Sequence, residues 1–268
     1  MQIYNKYEEL KKILRDMERV VVAFSGGVDS TFLVKAAYDV LGEKVTAATI
    51  TSPFHAAWEI EEAKKIAEDI GIKHTIITKG LENEELRMNP QDRCYICKKE
   101  VFGEIKRYAE SIGCQFVADG SNYDDTFDYR PGMKALKELG IRSPLLEAGL
   151  LKEEIRTLSR ELELPTWDKP AFACLLTRIP YGQEIKEEDL HKIEKTEAYL
   201  MQLGFRQFRV RFHGPIARIE LEKKEMEKIF DLGLMSKIND YGKQIGFQYV
   251  TLDLEGYKTG RMNEGLKG

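Results

Sequence analysis

The sequence predicts an α/β fold, a parallel doubly wound sheet over residues 1–165, joined to a second, smaller α+β domain over residues 166–268. Three observations carry this. Short β-branched runs alternate with amphipathic stretches of about 10–15 residues, the pattern of strand-helix-strand crossovers in a parallel sheet. A glycine-rich loop joins the first such run to a helix. After Pro165 the alternation stops, and Trp167-Asp168-Lys169-Pro170 opens an irregular segment that lasts to Gly182. A length of 268 residues, against about 150 for a common single domain, allows one large or two modest domains.

The elements follow in order. Tyr7, Leu10, Ile13, Leu14 and Met17 recur at helical spacing, so the chain opens on an amphipathic helix. Val20 to Phe24 is a buried strand, and the loop Ser25-Gly26-Gly27-Val28-Asp29-Ser30 leads into a helix from Thr31 to Leu41. Val45 to Ile50 and His74 to Ile77 are strands, with a helix from Ala56 to Ile70 between them. Lys98 to Ile112 is helical, Phe116 to Ala118 is a fourth strand, and Lys152 to Leu162 is a further helix. Beyond Gly182 the pattern predicts helix Lys186–Leu203, strands Phe205–Phe212 and Ile216–Leu221, helix Lys223–Tyr241 and strand Phe247–Leu254. Ligands of such a sheet belong beyond the carboxyl ends of its strands.

Composition excludes several classes. Hydrophobic residues make up 43% and charged residues 32%, a soluble globular balance. Lys and Arg number 41 against 45 Asp and Glu, a net charge of −4, which argues against binding that coats a nucleic-acid backbone. The longest apolar run, Val20 to Phe24, is far short of the roughly 20 residues of a membrane helix. The first seventeen residues alternate charge with apolar side chains and lack a signal-peptide core, so a cytoplasmic location is expected. Four cysteines are too few for a disulfide scaffold at this length.

Glycines in Ser25 to Ser30 let the backbone turn its N–H groups toward an anion, and the following helix adds its dipole. Asp29 or Ser30 is placed to cap that helix. The loop has no Lys and is not Gly-x-Gly-x-x-Gly, and an Asp facing phosphates calls for an intervening cation such as Mg²⁺. After the fourth strand comes Asp119-Gly120-Ser121-Asn122-Tyr123-Asp124-Asp125, then Asp128-Tyr129-Arg130-Pro131-Gly132. Its carboxylates suit Mg²⁺, and Arg130 suits a phosphate or carboxylate. A plain polar turn ahead of a capped helix explains the same residues.

Cys94 and Cys97 form a C-x-x-C, Cys174 stands alone, and Cys114, before a strand, reads as core. Zinc needs a fourth ligand, a dithiol redox pair leaves Cys174 unexplained, and a [4Fe–4S] cluster on three thiolates leaves one iron open. Spacing alone leaves these open, with three free thiols as the plain alternative. The cluster reading requires cysteines from both sides of the domain boundary to converge over the carboxyl edge of the sheet. In the second domain, period two places Arg209, Arg211 and His213 on one strand face and Phe208, Val210 and Phe212 on the other. A solvated edge face gives the same pattern.

Ser-Gly-Gly-Val-Asp-Ser resembles the PP-loop of the ATP-pyrophosphatase superfamily, with its adenine nucleotide alpha hydrolase-like sheet. The resemblance implies that Ser25, Gly26, Gly27 and Ser30 hold the phosphates of ATP, that Asp29 works with Mg²⁺, and that Thr49 and Ile50 lie near the nucleoside. Asp119, Gly120, Asn122, Asp125 and Arg130 would complete the nucleotide site. The phrases KPAFACLLTRIPYG, RPG and GIRSPL, RVRFHGPIARIE and LDLEGYKTGRMNEG resemble the LarE family of ATP-dependent sulfur transferases and span most of the chain. That family activates carboxylates of a pyridinium dicarboxylate mononucleotide and makes thiocarboxylates for a nickel-pincer cofactor.

The family's best-known members carry one cysteine, matching Cys174, and sacrifice its sulfur. This chain departs by adding Cys94 and Cys97 and resembles the three-cysteine branch. There a [4Fe–4S] cluster held by Cys94, Cys97 and Cys174 takes sulfide from an outside donor and passes it on. The likeness further implies that Arg209 and Arg211 bind the substrate phosphate, that Glu220 orients them, and that Thr177 and Arg178 contact substrate. Tyr257, Lys258 and Arg261 are further candidates. It implies a homo-oligomer, with a hexamer as its suggested size. The alternative is a cluster-dependent tRNA thiolation enzyme of the same superfamily, which the charge of −4 disfavours.

Overall fold

The computed structural model describes residues 2–127 and 131–258. The chain divides into two compact units, one of residues 1–52, 57–80 and 92–171, the other of residues 53–56, 81–91 and 172–268. No described helix is long and apolar enough to cross a membrane.

The first unit holds a four-stranded parallel sheet of β1 (Val20–Ala23), β2 (Val45–Thr51), β3 (Lys73–Thr78) and β4 (Phe116–Ala118), in the order β3-β2-β1-β4. Numbering only helices of eight or more residues, it also contains α1 (Gln2–Met17), α2 (Val28–Leu41), α3 (Ala57–Ile70), α4 (Arg93–Ser111), α5 (Gly132–Leu139) and α6 (Lys152–Glu161). Period two splits β1 between two cores. Val20 and Val22 pack with Leu10 and Leu14 of α1, Phe32 of α2, Ile66 of α3 and Ile155 of α6. Val21 packs with Phe102 and Ile105 of α4 and Leu136 of α5. A sheet covered on both faces explains why its strands read as continuous apolar runs.

From β1 the chain builds outward through β2 and β3, then returns to place β4 on the other side of β1. The order therefore reverses at β1, and a crevice opens beyond the carboxyl ends of β1 and β4. The described segments there are 24–27 and 119–127.

The second unit holds β5 (Phe208–His213), β6 (Ile216–Leu221) and β7 (Tyr249–Leu252), in the order β5-β6-β7, with β5 antiparallel and β7 parallel to β6. Helices α7 (Glu187–Gln202) and α8 (Leu232–Gln244) accompany it.

Several boundaries differ from the sequence reading; β5 starts at Phe208 rather than Phe205, and β7 covers Tyr249–Leu252 rather than Phe247–Leu254. Helix α4 begins at Arg93 rather than Lys98, which puts Cys94 and Cys97 in its first turns. Its polar opening, with Ile96 alone buried between Arg93 and Phe102, carries no apolar period to betray it. Helix α2 begins at Val28, not Thr31. The single helix expected over Lys223–Tyr241 is broken: short turns run to Phe230, and Asp231 then accepts from Leu234 N at 2.7 Å to cap α8.

Gly26 has φ +66°, and a Cβ there would lie 3.2 Å from both Cα and Cβ of Ala63 on α3. Gly26→Ala therefore meets left-handed strain and a tight contact together, a cost of about 1–3 kcal/mol. Urea unfolding should show a lower midpoint at unchanged slope.

Candidate active site

The N-cap of α2 is Gly27, at φ −83° and ψ 171°, and no side chain caps it. The reading that Asp29 or Ser30 caps this helix is corrected, because both lie inside its first turn. The Ser30 hydroxyl turns back instead, 3.0 Å from Ser25 Oγ, accepting from Ser25 N at 3.3 Å and donating to Gly27 O at 3.3 Å. The first bond of the helix is Thr31 N to Gly27 O at 3.0 Å, so the amides ahead of Thr31 point out of the helix end. With the helix dipole behind them, they form an anion cradle.

Asp29 Oδ2 lies 2.5 Å from Lys152 Nζ, while Asp29 Oδ1 is buried with no hydrogen-bond partner among the described residues. A carboxylate oxygen left over in this way beside an anion cradle fits a divalent cation such as Mg²⁺.

The loop after β4 closes on this cradle at Gly120, where a Cβ would stand 3.1 Å from Ser30 N and 3.3 Å from Ser30 Cα. Asp119 accepts from Ser143 Oγ at 2.6 Å and from Ser121 Oγ at 2.5 Å. Asp125 accepts from Asn122 N at 3.1 Å, and Asp124 accepts from Lys152 N at 2.7 Å at the start of α6. Ser25, Gly26, Gly27, Asp29, Ser30 and Gly120 thus gather at one crevice, with Asp119, Asn122 and Asp125 bracing its far wall. Arg130 and Arg261 lie outside the described residues.

Thr49, at the end of β2, donates to Phe24 O at 2.6 Å and stands 2.7 Å from His74 Nε2. With the hydroxyl proton spent on Phe24, the imidazole supplies the donor at Nε2. Burial first, then nearby Lys64, holds His74 below its ordinary value, against Glu68. Lys169 donates to Gly26 O at 2.9 Å and to Glu62 Oε2 at 2.8 Å. Because C=O and N–H of a trans peptide point opposite ways, fixing the Gly26 carbonyl also aims the Gly27 N–H. Sequence reasoning missed His74, Lys152 and Lys169. Only Lys169 had a signal, as part of the KPAFAC phrase.

Cys94 is exposed and Cys97 partly buried, one turn apart at the uncapped N-terminus of α4. Cys174, partly buried, belongs to the second unit. Cys114 is in the core, as expected. Among the described residues no three His, Cys, Asp or Glu side chains converge to hold a metal ion.

Within the second unit, Cys174 begins a tight turn over Leu175–Arg178. Its carbonyl accepts from Thr177 N at 3.1 Å, Thr177 Oγ1 at 2.9 Å and Arg178 NH1 at 3.0 Å. The Arg178 guanidinium, 1% exposed, also grips Glu197 of α7 through Nε and NH2, both at 2.9 Å. The strap is laced further by Leu175 N to Phe54 O at 3.0 Å and Asn89 Nδ2 to Pro180 O at 2.7 Å.

A cavity of about 190 Å³ opens nearby, lined by Thr177, Tyr181, Arg211, His213, Arg218 and Glu220, among others. Register puts Arg211 opposite Arg218 and Arg209 opposite Glu220. Glu220, fully buried, takes Arg211 at 2.9 and 3.0 Å and Arg218 at 3.1 Å, and Arg211 NH1 donates to Thr177 O at 2.6 Å. Arg209 sits against the rings of Phe172, at 5.3 Å, and Tyr257, at 5.0 Å. Burial first, then Arg178, pushes its pKa down to about 10, so it stays cationic at neutral pH. Of the strand face predicted by period two, Arg209 and Arg211 are buried, while His213 at its end is exposed. Arg178 reaches Glu197 and the Cys174 turn, and Lys258 stands on the surface near Glu255.

A nucleotide cradle on a doubly wound sheet, with a cationic pocket in a second unit, defines a nucleotide-using enzyme of PP-loop type. The asparagine synthase family model matches residues 8–95. An uncharacterised protein of Synechocystis sp. is 44% identical, covering 98% of each chain. A pyridinium-3,5-bisthiocarboxylic acid mononucleotide synthase of Lactiplantibacillus plantarum is 39% identical over 97% of this chain and 95% of its own. A tRNA-specific 2-thiouridylase of Thermoanaerobacter sp. is 27% identical over 67% of this chain and 61% of its own. The chain belongs to the LarE family of ATP-dependent sulfur transferases.

Two outcomes follow from this geometry. Glu197→Ala strands the buried Arg178 and should cost about 3–5 kcal/mol, read by thermal or urea unfolding. His55, His74 and His213 are each held below 6.5, chiefly by burial. The unfolded chain therefore binds more protons, and stability present above about pH 6.5 is lost as pH falls through the lower folded values. The unfolding midpoint should drop between pH 7 and about 5.5, and His74→Gln should reduce that drop.

Proposed function

We propose that this chain uses ATP to activate the carboxylates of pyridinium-3,5-biscarboxylic acid mononucleotide and converts them to thiocarboxylates. The observation that carries the reading is the near full-length likeness to a pyridinium-3,5-bisthiocarboxylic acid mononucleotide synthase. Two features of this chain agree with it: the uncapped loop over α2, suited to the phosphates of ATP, and the arginine-lined pocket, suited to a nucleotide phosphate. A substrate carboxylate oxygen attacks the α-phosphorus, one P–O bond forms, and the bond to the bridging oxygen breaks. Pyrophosphate leaves with the electron pair. The amides of α2 and a cation at Asp29 offset the charge on the leaving group. Sulfur then displaces AMP from the acyl carbon.

For the sulfur, Cys94 and Cys97 would supply two thiolates to a [4Fe–4S] cluster and Cys174 the third. That none of the three is in a disulfide, with Cys94 and Cys97 on one helical turn, supports that assignment. When bound, such a cluster supplies an iron without a protein thiolate, where sulfide from an outside donor can bind. Arg178 and Thr177 hold the Cys174 turn in shape, and Arg209 and Arg211 take the substrate phosphate, with Glu220 orienting Arg211.

The test is anaerobic purification with assay of iron and acid-labile sulfide, beside AMP release with the mononucleotide and sulfide. About four irons per chain, and multiple turnovers lost in Cys94→Ala, are expected. Zinc or no metal, with one turnover per chain, would return Cys174 to the role of single-use sulfur donor. AMP release only with tRNA would overturn the substrate.

A further inference from the structure

Lys152 is the first residue of α6, where a helix dipole disfavours a cation. Its position there makes physical sense only against an anion. In this structure that anion is Asp29, 2.5 Å away, and the pair remains partly open to solvent, at 28% and 23% side-chain exposure. The main chain beneath Lys152 is fixed to the loop after β4: Lys152 N donates to Asp124 Oδ2 at 2.7 Å, and Tyr123 N to Leu150 O at 2.8 Å. The ammonium is thus presented from the β4 side of the crevice to the glycine loop on the β1 side. Across the same carboxylate, Asp29 Oδ1 is buried and has no hydrogen-bond partner among the described residues. One oxygen of Asp29 holds a monovalent cation while the other meets no donor among the described residues.

A half-open ion pair of this kind adds little to stability, because water screens it and two flexible side chains must be ordered. It does suit an exchange of partners. We propose that Lys152 is a phosphate-binding residue, holding Asp29 while the site has no nucleotide and moving to the β- and γ-phosphate oxygens when Mg²⁺-nucleotide enters. Asp29 would then be released to hold the metal. A lysine suits this task as a compact charge on a flexible stem, able to swing between two anions from one anchored backbone. The charge it meets grows as pyrophosphate departs. This inference rests on the ATP reading above and adds to it the residue that tells a triphosphate from a monophosphate.

The test is calorimetric binding of α,β-methylene-ATP with Mg²⁺, and of AMP, to the full chain and its Lys152→Met and Lys152→Arg variants. Lys152→Met should weaken the triphosphate analogue about tenfold or more, the size of one charge-assisted hydrogen bond, and alter AMP by less than about twofold. The thermal midpoint should stay within a degree or two of the parent, and Lys152→Arg should recover part of the loss. Equal weakening of both nucleotides, or none of either, would overturn the role for Lys152 while leaving ATP binding intact. A parent chain that binds neither nucleotide would overturn the ATP reading and this inference together.

Discussion

Reversal of strand order at β1 is the constraint on which the nucleotide site depends. A helix that follows a parallel strand starts with amides that nothing in the sheet can accept, and elsewhere a side chain or neighbouring loop covers them. Here the chain turns one way after β1 and the other way to reach β4, so the helices part and the first amides of α2 face a crevice. Two glycines make the arrangement possible at close quarters. Gly26 lets the loop pass over Ala63, and Gly120 lets the loop after β4 lie against Ser30. Lys169 then fixes the Gly26 carbonyl, so the cradle is held from outside as well as by its own serines.

The second unit solves a different problem, that of keeping several guanidinium groups inside a small protein. Charges removed from water are costly unless paired. Glu197 and Glu220 supply the pairing, each with both oxygens engaged, and they divide the work. Glu197 turns Arg178 toward the Cys174 turn, and Glu220 holds Arg211 and Arg218 at the cavity wall. Arg209 is stacked on two rings with other arginines nearby, and its depressed pKa records that strain in electrostatic form.

Much of this was legible in the residues. The β-branched runs gave the parallel sheet because both its faces are buried, and Ser25 to Ser30 betrayed an anion loop because only glycine allows that path. Period two put Arg209, Arg211 and His213 together on one face of β5. What it lacked was the acid beneath. Glu197 lies in a helix between charged neighbours such as Glu194 and Lys195, where nothing local marks it as buried. Lys152 and His74 were invisible for a like reason, since their partners are 123 and 25 residues away. The first turns of α4 bury only Arg93 and Ile96, too little to show an apolar period, which hides that Cys94 and Cys97 share a helical face. Asp231 was overlooked as a cap because the apolar period on either side of it stays in phase.

The division of the chain has a consequence for how the molecule can be taken apart. Residues 53–56 and 81–91 belong with residues 172–268, so the polypeptide passes between the units at 52/53, 56/57, 80/81, 91/92 and 171/172. The strap that carries Cys174 is tied by Phe54 and Asn89, both supplied from the N-terminal half. No single scission yields two whole modules, and a fragment beginning at Phe172 would lack the cords that bind its own Cys174 turn. Gene fusion or domain exchange at that junction would carry a sheet across without its stitching. The two units are in this sense one inheritance, not to be parted at any one cut.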